Sequence, residues 1–151
     1  MRWFALMLGV VLLGGCAARP VVLEMGKPAE DFAFSLIVLQ IAIEPNQFKP
    51  AVYIVEPDRT LRVAVGEGVA EPIYPAPARV LTHSEFARIW NLALESGLLD
   101  LERGREDVES EAFRAWYARH GVRRQASFGP NDAADLQPLV EELERLAWLR
   151  K

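Results

Sequence analysis

Ala112-Phe113-Arg114-Ala115-Trp116-Tyr117-Ala118-Arg119-His120-Gly121-Val122-Arg123-Arg124-Gln125-Ala126-Ser127-Phe128 is the stretch on which the fold turns. As a helix it puts Phe113, Trp116, Tyr117 and His120 on one face at spacings of three and four. As strands it alternates Phe113, Ala115, Tyr117 and then Val122, Arg124, Ala126, Phe128. Between the halves sits His120-Gly121, and glycine supplies the positive φ that a two-residue hairpin turn demands. The hairpin is the reading followed here, with the helix as its alternative.

Upstream, Phe32 to Ile43 is nearly all apolar and β-branched, a pattern that predicts a strand buried on both faces, ended by Pro45. Ala51–Glu56 and Thr60–Gly66 read as two strands around Pro57-Asp58-Arg59, where proline pre-sets φ and aspartate supports the turn. Leu61, Val63 and Val65 alternate with Arg62 and Ala64, so this second hairpin has one wet face. Gly66 to Arg79, with three prolines, reads as a long loop.

One helix is signalled at both ends. Thr82 and Glu85 form a capping box, and Leu81 and Phe86 flank it as a hydrophobic staple. Phe86, Ile89, Trp90, Ala93 and Leu94 make its apolar face, and Gly97 stops it with Leu98 folding back in a Schellman-type end. A closing helix is expected over Leu136–Leu149, capped by Asp135, with Pro138 in its first turn. These elements predict an α+β domain: a mainly antiparallel sheet of about five strands with two helices packed on one face.

The amino terminus is of another kind. Met1-Arg2 precedes an unbroken apolar run, Trp3 to Leu13, and then Gly14-Gly15-Cys16. That is a charged n-region, an h-region and small residues at a cut site. The run is too short for the ~20 residues of a spanning helix. Leu13-Gly14-Gly15-Cys16 resembles the lipobox of bacterial lipoproteins. The resemblance implies diacylglyceryl transfer to Cys16, cleavage between Gly15 and Cys16, and acylation of the new amino terminus, commonly by palmitate. It divides the chain into a signal peptide (1–15), a lipidated amino terminus with a tether (16–31) and one domain (32–151). As a flexible coil the tether spans roughly 20 Å, and extended at most ~50 Å. Ala17 lies where, in lipoproteins of many double-membrane bacteria, an aspartate favours inner-membrane retention. The resemblance implies a lipid-anchored place in the cell envelope, and the absence of that aspartate permits export to the periplasmic face of the outer membrane where there are two membranes. The domain is also similar in pattern to small uncharacterised α+β envelope domains, in which a hairpin precedes a helix opening on Leu-Thr-x-x-Glu, here Leu81, Thr82 and Glu85. That likeness carries no active residues with it.

Composition narrows the function. The 151 residues contain 17 Lys and Arg against 21 Asp and Glu, a net charge of −4 without any basic tract, which argues against a nucleic-acid partner. The single cysteine is Cys16; once acylated it leaves no thiol for a disulfide, so an apolar core has to hold the domain together. The two histidines, His83 and His120, have no second imidazole at helix spacing, which argues against zinc. Ser35, Ser84, Ser96, Ser110 and Ser127 lie in no nucleophile elbow, and Gly66-Glu67-Gly68 lacks the lysine of a phosphate loop. The acidic connector Asp100–Glu111 lacks the alternation and central glycine of a calcium loop. No catalytic residue, metal or cofactor is therefore expected.

Two binding candidates remain. Arg119, His120, Arg123 and Arg124 gather at the hairpin tip beside Trp116 and Tyr117, and guanidinium groups can chelate an anionic headgroup. The plainer reading of these charges is a solvated edge strand protected from aggregation. Ile73 and Tyr74 in the Pro-rich loop can present apolar groups to an envelope protein, or simply pack on their own sheet. The expected function is a membrane-anchored, non-catalytic binding or structural lipoprotein. The alternative is a small envelope enzyme or enzyme accessory using carboxylates such as Glu67 and Glu71.

Overall fold

The computed structural model describes residues 23–39, 41–43, 46–66, 69, 74–100 and 110–147. Cys16, Gly15 and the rest of the leader, with Glu67, Glu71, Ile73 and most of the acidic connector, lie outside the described residues.

The strands are β1 (Ala33–Val38), β2 (Ile41–Ile43), β3 (Asn46–Phe48), β4 (Ala51–Val55), β5 (Thr60–Val65), β6 (Pro77–Val80), β7 (Phe113–Arg119) and β8 (Val122–Phe128). The helices are α1 (His83–Glu95) and α2 (Ala133–Leu146), the latter entered through a 3-10 turn at Pro130–Asp132. Six strands form one antiparallel sheet in the order β6-β5-β4-β1-β7-β8, and β2 pairs with β3 in a small separate ribbon. The fold is α+β.

β1 lies inside the sheet and explains why the domain closes. Leu36 stands opposite Tyr53 of β4 and Ala115 of β7. Phe34, Leu36 and Val38, alternating as strand geometry requires, turn to one face together with Val55, Leu61, Phe113, Tyr117 and Phe128. Phe86, Ile89, Trp90 and Ala93 of α1 and Leu136, Leu139, Val140 and Leu143 of α2 cover that face in the same core. At ~1.5–3 kcal/mol for each large side chain fully buried, this face accounts for most of the driving force for folding.

Residues 112–128 form the hairpin. His120 and Gly121 both have positive φ (48° and 76°), as a type I′ turn requires. The capping box of α1 is complete: Thr82 Oγ1 accepts from Glu85 N at 3.2 Å, and Thr82 N donates to Glu85 Oε2 at 2.8 Å. At the other end Gly97 (φ 71°) donates to Leu94 O, but the second bond of the stop comes from Leu99 N to Ala93 O. Leu98 and Leu99 are both buried behind it.

The α+β expectation of an antiparallel sheet with two helices holds, and four of its details change. The sheet has six strands rather than about five, because Pro77–Val80, read as the end of a loop, pairs with β5. The prolines there hid a strand that lies at the sheet edge, where a missing N–H costs no ladder bond. The apolar run Phe32–Ile43 is two strands, and in β1 Ser35 and Ile37 are only half-buried, so one face alone is fully covered. The closing helix starts at Ala133, three residues before Leu136, since the Pro130–Asp132 turn initiates it. Pro138 therefore lies beyond the first turn. Finally, part of the tether belongs to the domain: Ala29 is buried, and residues 24–31 make specific hydrogen bonds with α1 and the β7–β8 turn.

Candidate functional site

The helix-free face of the sheet carries the second set of alternating residues. Strand register lines up one transverse row across it: Gln125, Trp116, Ser35, Ile54, Arg62 and Pro77. A parallel row runs Ser127, Arg114, Ile37, Val52 and Ala64. Three strand spacings separate Trp116 from Arg62, about 14 Å.

An exposed aromatic lies toward each end of the first row, Trp116 within it and Tyr74 beside Arg62. Trp116, on a strand whose neighbours Ala115 and Tyr117 are buried, is 40% exposed. At the far end Tyr74 is 67% exposed. The Arg62 guanidinium carbon sits 4.3 Å from the Tyr74 ring centroid, a cation–π contact. Arg62 also donates from Nε to Glu56 Oε2 at 3.0 Å and from Nη1 to Pro75 O at 3.2 Å. The Tyr74 hydroxyl donates to Glu56 Oε1. That bond to the Glu56 carboxylate raises the tyrosine pKa, because losing the phenolic proton would forfeit the hydrogen bond. Tyr74 thus packs against its own sheet edge through Arg62 and Glu56 and keeps its ring surface open.

On the parallel row Arg114 donates to Glu111 from Nε at 3.0 Å and from Nη2 at 2.5 Å, and Ser127 Oγ donates to Glu111 Oε1. The Arg114 hydrogen bonds, against the opposing effect of burial, lower the Glu111 pKa. Glu111 is consequently ionised at neutral pH and pins β7 to β8 rather than holding a proton for transfer. The face offers flat aromatic and guanidinium surface beside half-buried Ile37 and Ile54 and buried Val52, suited to stacking and hydrogen bonding.

The four residues of the basic tip separate. Arg119 is 6% exposed and turned inward, its Nε and Nη2 donating to Leu99 O at 3.1 and 2.9 Å. His120 is exposed at the turn, its ring edge-on to Trp90 with centroids 6.4 Å apart. Arg123 and Arg124 are exposed on β8, on opposite faces by strand alternation. The anion at this tip is internal. Asp31 accepts from His120 N at 2.5 Å and from Gly121 N at 2.7 Å. Burial pushes the Asp31 pKa up, but these backbone donors outweigh it and the net shift is downward.

Glu142 is the buried acid of the helical layer. It accepts from Arg145 at 2.9 and 2.7 Å and from Arg88 of α1 at 3.1 Å, which clips the two helices together. The Arg145 bonds lower its pKa despite burial. Among the described residues no three His, Cys, Asp or Glu side chains gather as a metal-binding group. No helix among them is long and apolar enough to cross a membrane.

No known family model matches this chain, and no curated protein is significantly similar to it.

The sequence reading missed the Tyr74, Arg62 and Glu56 cluster and the transverse row. Its one available signal was Arg62 on the polar face of the second hairpin, with an aromatic following in the Pro-rich loop.

Proposed function

We propose that the protein is an envelope lipoprotein, exported and then anchored through acyl chains on Cys16, whose domain binds another envelope component on the helix-free face of its sheet and does no catalysis itself. The anchoring is carried by Leu13-Gly14-Gly15-Cys16 directly after an apolar run too short to span a bilayer. Two or more acyl chains give attachment that washing does not reverse, at ~0.8 kcal/mol for each buried methylene. Ala17 in place of the retention aspartate permits export to the outer membrane in an organism with two. Metabolic labelling with an alkyne fatty acid tests the anchor: the native protein takes the label and Cys16→Ala does not. A labelled Cys16→Ala product would refute it.

Trp116 supports the binding role. A tryptophan kept 40% exposed in the middle of a strand, on the face away from the helices, supplies a large rigid contact surface to a partner. A photocrosslinking amino acid at Trp116, in cells with their native envelope, is expected to give a discrete adduct. The same group at Ala134, exposed on α2, is the comparison. Equal adducts at the two positions would remove the sheet face as the binding surface.

A further inference from the structure

Phe32 and the residues before it are built into the domain. The Phe32 ring packs edge-on against Trp90 with centroids 4.8 Å apart, and Trp90 Nε1 donates to Glu24 O at 2.8 Å. Gly26 N donates to Asn91 Oδ1 at 2.6 Å, Ala29 is buried, and Asp31 holds the His120–Gly121 turn. The strap is thus tied at both ends, to the middle of α1 and to the β7–β8 turn. These ties all lie at the end of the sheet where β1 begins, since Ala33 is paired with Ala118 beside that turn.

Only residues 17–22 separate this strap from Cys16. Six residues reach at most ~20 Å. A folded body of roughly 120 residues has a radius of gyration of about 14 Å, and a diameter well beyond that reach. An acyl anchor on so short a link leaves the body little freedom to turn over. We infer that the end of the domain formed by the strap, the middle of α1 and the β7–β8 turn is its membrane-facing surface, apposed to the lipid headgroup layer, and that the opposite end points away from the bilayer. This rests on the acylation of Cys16 proposed above.

The chemistry of that end suits a headgroup layer. Met25 is 53% exposed and apolar, and Lys27, His120 and Arg123 are exposed at the same end of the domain. Lys27 and Glu24 pair with each other and add no net charge, and Asp31 is held by the backbone of the turn. Glu30 adds one exposed carboxylate, and Asp58, in the β4–β5 turn at this end of the sheet, adds another. The opposite end is marked by Val65, 43% exposed, which pairs with Ala51 beside Val38. That row lies five residues along β1 from Ala33, about 17 Å.

The test uses the full-length protein purified from membranes and reconstituted in phosphatidylcholine vesicles, with the mass of its amino-terminal peptide measured first. An acyl-free peptide refutes the anchor and is a separate failure from any orientation result. With Cys16 acylated, Met25→Cys or Val65→Cys supplies the one reactive thiol for a fluorophore, and a nitroxide on the lipid headgroup is the quencher. The label at 25 is expected to be quenched several-fold more than the label at 65. Equal quenching, or stronger quenching at 65, overturns the inference. Ten Gly/Ser residues inserted after Ala18 should leave acylation intact and abolish the contrast; a contrast that survives the insertion overturns the short link as its cause. Circular dichroism matching the native protein excludes misfolding for each variant.

Discussion

Arg119→Ala is the substitution that separates a structural arginine from its exposed neighbours. Arg119 ends β7 with its guanidinium inside the protein, where Nε and Nη2 both donate to the Leu99 carbonyl at 3.1 and 2.9 Å. Leu99 follows the Gly97 stop of α1, so the contact ties the chain leaving the helix to the hairpin. A hydrogen bond with a charged partner contributes about 1.5–3 kcal/mol. Here two donors share one oxygen, and truncation also relieves the cost of keeping a cation dry, so the two do not add in full. Loss of the bonds, of the aliphatic stem and of the donors to a buried carbonyl together should cost about 2–4 kcal/mol. At about 4 °C for each kcal/mol in a domain of this size, the midpoint should fall by about 8–15 °C. Arg123→Ala and Arg124→Ala remove exposed side chains and should stay within ~0.5 kcal/mol of the native protein. Thermal unfolding of the three full-length variants in detergent, followed by circular dichroism, reads the difference. An Arg119→Ala protein that melts with Arg123→Ala would show that the inward contact contributes nothing.

Thr82→Ala removes one half of the capping box and leaves Glu85 N without its acceptor, which should cost about 1–2 kcal/mol in urea unfolding; an unchanged midpoint would contradict the cap. Asp31 has a folded pKa below its unfolded value of about 3.9, so the unfolded chain takes up the proton first on acidification. Its contribution is therefore complete above about pH 5 and disappears as the pH falls through the lowered folded value. The stability gap between native protein and Asp31→Asn should accordingly be clear at pH 7 and shrink by pH 3. A gap of the same size at both values would rule out the turn clamp.

The elements legible in the sequence were those whose signals are local. Thr82, Glu85, Phe86 and Gly97 act within α1 itself, and His120-Gly121 needs nothing beyond its own turn geometry to reverse the chain. The tertiary elements were not legible. Pro77–Val80 becomes a strand only because β5 presents a free edge with a register shift between Leu61 and Arg62 that admits Pro77. Residues 24–31 have no periodicity, and their order comes from single long-range bonds, to Trp90, to Asn91 and to the turn at 120–121. Asp135 looked like the cap of α2 because nothing in the pattern distinguishes a helix begun at Ala133 by a preceding 3-10 turn from one begun at Leu136.

The basic tip shows how far pattern reading reaches into a site. Three arginines and a histidine within six residues look like one cluster, yet strand alternation had already divided them. Phe113, Ala115 and Tyr117 face the core, so Arg119 in the same series faces it too, while Arg123, paired with Ala118, falls on the helix-free face. The same alternation that identifies the hairpin therefore assigns Arg119 inward before any coordinates are known. Beyond alternation lies the fate of the two turn N–H groups. An exposed type I′ turn leaves its backbone donors to water, and only the fold brings Asp31, 89 and 90 residues away in sequence, to receive them. That contact converts the turn from a free anion cradle into a clasp for the strap. Asp31 is nonetheless one tie of several: with Asp31 protonated or replaced, the strap loses its hold on the turn, while Glu24 and Gly26 still fix it to the middle of α1.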